Sequence, residues 1–122
     1  MPPNVNMFKQ CPYTGKYDCL VGVAALGATG EVAAIGATYK AVVYGFIISM
    51  GKEGRVDLHF EGAVSATTLI GAVDTDHLTP HPVPVMLPLI RVAPTAGNDI
   101  DATLTGCDDA LIVVYYNLWT PV

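Results

Sequence analysis

A chain of 122 residues has the length of one domain, enough to enclose a core of its own but not two. Six Lys and Arg stand against eleven Asp and Glu, a net charge of −5 with no basic run, which argues against nucleic acid as a partner because clustered cations supply most of that affinity. Hydrophobic residues make up 52% and charged residues 14%, against a usual charged share of about a quarter, so part of the apolar surface is expected to face another subunit.

The first seventeen residues set Phe8, Tyr13 and Tyr17 among Pro2, Pro3, Asn4, Asn6 and Pro12 without strand alternation. This predicts an extended N-terminal arm over residues 1–17, either a frayed terminus or a segment that lies on a neighbouring protein and anchors through Phe8, Tyr13 and Tyr17, since aromatic residues are enriched in interface cores. MPPNVNMFKQ has neither a basic n-region nor an apolar h-region and does not read as a secretory signal. Cys11 and Cys19 bracket PYTGKYD and could form a disulfide if the protein ends up outside a cell, or remain thiols in reducing cytosol. With Cys107 the cysteines number three, so no disulfide framework is expected.

Residues 20–37 have the length of a membrane span but are Ala- and Gly-rich and broken by GATGE, so strands at 18–26 and 31–35 are predicted instead, and no membrane role. Residues 39–50 put Val42, Tyr44, Phe46 and Ile48 on one face of a strand and Ala41, Val43 and Ile47 on the other. In 55–61, Val56, Leu58 and Phe60 alternate with Arg55, Asp57, His59 and Glu61, the pattern of a strand with one wet face, on which His59 reads as solvated. Further strands are predicted at 67–72, 83–92, where Pro84 and Pro88 indicate an edge, and 100–104. The last, Ala110–Trp119, is again apolar on both faces, with Tyr115 and Trp119 opposite Tyr116 and Leu118.

No helical periodicity is present. The predicted fold is all-β: an antiparallel two-sheet sandwich of jelly-roll type with about eight short strands, occupying residues 18–122. A small sandwich covers only one face of each sheet, so strands apolar on both faces predict self-association, with Tyr44, Tyr115 and Trp119 as candidate subunit-interface residues.

Chemistry-bearing residue types cluster only weakly. Asp74, Asp76, His77 and His81 in DTDHLTPH resemble metal ligands in type, but Pro80 and Pro82 deny them a helical spacing, and a solvated loop accounts for them. GCDDA, residues 106–110, reads as a hairpin turn, and Cys107 has no evident base. Catalytic residues, metal ligands and cofactors are therefore all predicted to be none.

From about residue 37 onward, the run YKAVVYGFIIS, VDLHFEG, TLIGAV, HPVPVMLPLIRV, PTAGNDIDATL and ALIVVYYNLW resembles the small jelly-roll decoration, or cement, proteins on the heads of tailed bacteriophages. The resemblance covers about two thirds of the chain. It implies a structural virion protein, made in the host cytoplasm, that stabilises the capsid surface as a homotrimer bound to the major capsid protein. An alternative expectation is a receptor- or carbohydrate-binding module of a virion fibre or tip, using the loop from Asp74 to His81.

Overall fold

The apolar alternation along the chain is realised as strands throughout. A computed structural model describes residues 20–75, 83–85 and 90–120. The predicted arm with Phe8, Tyr13 and Tyr17, the Cys11 and Cys19 pair, and Asp76, His77 and His81 lie outside the described residues.

The strands are β1 (Leu20–Leu26), β2 (Gly30–Ala33), β3 (Lys40–Met50), β4 (Gly54–Phe60), β5 (Leu69–Thr75), β6 (Val83–Val85), β7 (Arg91–Val92), β8 (Ile100–Thr105) and β9 (Ala110–Trp119). One sheet has the order β1-β9-β3-β6, with β7 also pairing β3, and the other has the order β2-β8-β4-β5. Every described strand pair is antiparallel. Taking β6 and β7 as one interrupted strand, each connection crosses between sheets except the β4–β5 hairpin, which is jelly-roll topology. The fold is thus the predicted antiparallel sandwich.

The core lies between the sheets. Val43, Phe46, Ile48 and Met50 of β3 and Ile112 and Val114 of β9 meet Val56, Leu58 and Phe60 of β4 and Ile100 and Ala102 of β8. Two details depart from simple alternation. A register shift between Val43 and Gly45 makes Tyr44 a bulge, so Val43 and Phe46 both point inward and the two predicted faces of β3 exchange at that point. Of the segment predicted as one strand over 83–92, the described parts are β6, with Pro84, and β7, both pairing along β3 at the edge of the sheet, where a strand lacking N–H donors is tolerated.

The loop of residues 106–110 is not a hairpin: β8 and β9 belong to different sheets. Gly106 takes a positive φ of 71° at this crossing, and the Gly51 N–H donates to the Asp109 carbonyl at 2.8 Å, tying the two crossover loops together.

Gly71 of β5 sits inward opposite Leu58, and a Cβ there would run into the ring of Phe46. Gly71→Ala is therefore expected to destabilise by about 1–3 kcal/mol through overpacking, read as a lower urea midpoint at unchanged m-value. Adding Phe46→Leu should recover part of that loss; an unaltered midpoint in the single variant would contradict the packing described.

Candidate functional site

The two outer faces of the sandwich differ in chemistry. On the β2-β8-β4-β5 sheet, antiparallel register lines up Glu31, Asp101, His59 and Leu69 in one row across the strands. Glu61 and Asp99 close its end: Glu61 N–H donates to the Asp99 carbonyl at 2.9 Å, and Asp99 N–H donates to Glu61 Oε1 at 3.2 Å. Apart from Leu69, these side chains line a shallow pocket of about 420 Å³ together with Thr29 and Thr103.

His59 is not the solvated residue predicted. It is 3% exposed, and Asp57 beside it is 7% exposed, because β4 is an inner strand flanked by β8 and β5. Nδ1 lies 2.7 Å from the Phe60 carbonyl, which can only accept, so Nδ1 carries the proton. Nε2 shares a hydrogen bond with the Thr103 hydroxyl at 2.8 Å, accepting when the ring is neutral and donating when it is charged. Both ring nitrogens are used internally, leaving no lone pair to ligate a metal or to act as a base in the pocket. Asp57 is held by Arg55 at 2.9 Å, and Arg55 reaches Asp74 at 3.3 Å. Among the described residues, no three His, Cys, Asp or Glu side chains are grouped to hold a metal ion. Cys107, which is buried, points its thiol at the carbonyls of Lys52 and Asp109.

The carboxyls of the pocket repel one another. A side-chain hydrogen bond to Asp99, reinforced by the charges of Asp99, Asp101 and Glu61, raises the pKa of Glu31. Burial first, with the charges of Asp99 and Glu61, raises that of Asp101, and His59 opposes the shift.

Among the described residues, the outer face of the β1-β9-β3-β6 sheet carries no carboxylate. Register places Val21 beside Tyr115, Val23 beside Val113 and Ile47, and Ala25 beside Leu111 and Ser49. Val23 is 60% exposed, Val21 51% and Leu111 45%. Of the predicted interface residues, Tyr115 and Trp119 lie on this face, Trp119 half exposed at its end with the Lys40 ammonium 5.9 Å from the ring centre. Tyr44 is also on β3, but it is 3% exposed and offers almost no surface of its own. Val21 and Val23 were not singled out from the sequence, although the alternation in LVGVAAL contains the signal. The carboxylate row was missed because its members are distant in sequence and meet only through register.

No helix among the described residues is long and apolar enough to cross a membrane. No protein-family model, curated protein or solved structure matches the chain.

Raised pKa values mean that the folded state holds these protons more tightly than the unfolded chain does, so their contribution is present at low pH and lost as pH rises through the folded values. Thermal unfolding followed from neutral pH into the carboxylate range, about 4, should show the melting temperature first rising as Glu31 and Asp101 protonate. Glu31→Gln with Asp101→Asn should raise the neutral-pH value and flatten the profile; a double variant that melts lower at neutral pH would contradict the repulsion.

Proposed function

We propose that this chain is a non-catalytic structural protein that assembles with copies of itself on the outside of a virus particle. The observation that carries the reading is the outer face of β1, β9 and β3: Val21, Val23, Leu111, Val113 and Ile47 form an apolar strip across three strands without an ionisable carboxylate or amine among them. Completing the burial of a half-exposed Val or Leu stabilises by about 1 kcal/mol, and several acting together favour a specific contact. The jelly-roll topology and the resemblance to phage-head decoration proteins supply the setting, a shell that many symmetric contacts reinforce through avidity.

In this reading the major capsid protein is the surface decorated, residues 1–17 with Phe8, Tyr13 and Tyr17 provide attachment, and three copies is the assembly the resemblance implies. His59, with both ring nitrogens already hydrogen-bonded inside the sheet, favours a structural role over chemistry that would use this imidazole as a base or a metal ligand.

Light scattering of the full chain at micromolar concentration is expected to give a multiple of the 12.8 kDa chain mass. A monodisperse species of one chain mass throughout that range would overturn the self-assembly.

A further inference from the structure

Among the described residues, the buried hydrophobic side chains belong to the core between the sheets with two exceptions, Val42 and Tyr44 of β3. Val42 alternates with Ala41 and Val43, which face that core, so it points out of the sandwich. Asn117 of β9 lies directly opposite Val42 in register and shares its face. A side chain on the outer face of a sheet is dry only where something lies over it. Yet Val42 is 2% exposed, Tyr44 3% and Asn117 1%.

The cover over this patch has a direction. Val92 of β7, opposite Val42 on its other side, is 38% exposed, and farther along the same face Val23 and Leu111 are more exposed still. It therefore comes neither from the β7 edge, where residues 86–90 join β6 to β7, nor from the Leu111 end. On the β1 side, residues 1–19 join the sheet at Leu20, which pairs with Tyr116, the residue before Asn117. Leu20, Tyr44 and Tyr115 each make a further polar or ring contact at this end.

We infer that residues 13–19 fold back over the outer face of this chain's own sheet and pack Tyr13 and Tyr17 on Val42, Tyr44 and Asn117. The length fits, because crossing from β1 over β9 to β3 takes two strand spacings, about 10 Å, and an extended chain advances about 3.3 Å per residue. About seven residues thus cover the crossing and the turn into it. The pattern fits as well: along an extended chain Tyr13, Gly15 and Tyr17 fall on one side and Thr14, Lys16 and Asp18 on the other. Each Tyr supplies a large apolar ring with a polar tip. The attachment segment proposed above is divided by this contact: Phe8 and the residues before it reach a partner, while residues 13–19 stay with their own chain.

The test is hydroxyl-radical footprinting at Val42 and Tyr44, compared between the full chain and its Tyr13→Ser, Tyr17→Ser double variant over a range of protein concentrations. The full chain is expected to be modified there at least fivefold less than the double variant at every concentration, with the exposed Val64 equal in both. A variant lacking residues 1–19 should match the double variant; if it loses its β circular dichroism, the double variant decides. In the full chain, trypsin should cut after Lys16 at least tenfold more slowly than after Lys9, and the double variant should lose that difference.

Modification of Val42 and Tyr44 that stays low without Tyr13 and Tyr17 overturns the inference. Modification that falls only as concentration rises gives the cover to a second copy, overturning the inference and leaving self-assembly standing. Low modification at every concentration in a chain that scatters as a monomer does the reverse.

Discussion

Each sheet of a sandwich has one face against the core, and the character of the other face decides what the domain can do in water. Among the described strands, the carboxylates Glu31, Asp57, Asp74 and Asp101 all belong to one sheet. β4 sends Val56, Leu58 and Phe60 inward and Arg55, Asp57, His59 outward, whereas β9 sends Ile112 and Val114 inward and Leu111, Val113 and Tyr115 outward. The first pattern gives a sheet that stands in water. The second gives a sheet with a wetted hydrocarbon surface, and the proposed role as a self-assembling shell protein follows from that imbalance.

The charged side is itself organised more tightly than a solvated face needs. His59 is locked between a carbonyl and the Thr103 hydroxyl, and Asp57 is clamped by Arg55, so the polar layer over β4 is internally satisfied. The Asp99 side chain accepts the Ile35 N–H at 2.8 Å, which fastens the chain leaving β2 to the turn before β8. Asp99 and Glu61 thus tie loops together within a group of carboxyls that repel one another.

Strand identity was legible because period-two alternation is local: β9 was read from the sequence with its boundaries unchanged, and β3, β4 and β8 within a residue or two. The two-sheet class followed from strand count and turn residues. What was not legible depends on neighbours. Nothing in YKAVVYGFIIS marks Tyr44 as a bulge, since a register shift is set by the partner strands. His59 looked wet because the residues two away on its face, Asp57 and Glu61, are charged, and it is dry because β4 lies inside its sheet. GCDDA has the composition of a hairpin turn, yet it spans two sheets, a distinction that composition does not carry. The apolar second face of β9 was visible, but its extension to Val21 and Val23 required knowing that β1 lies next to β9.

The central claim is that the hydrocarbon strip over β1, β9 and β3 is covered in solution. Hydroxyl-radical footprinting of the full chain, with modification read by mass spectrometry at Val21, Val23, Leu111 and Tyr115 over a range of protein concentrations, measures that cover directly. Modification should fall several-fold as concentration rises, while the exposed Val64 stays constant. Equal modification of the strip at every concentration, at the rate set by its exposure in one chain, would contradict the account.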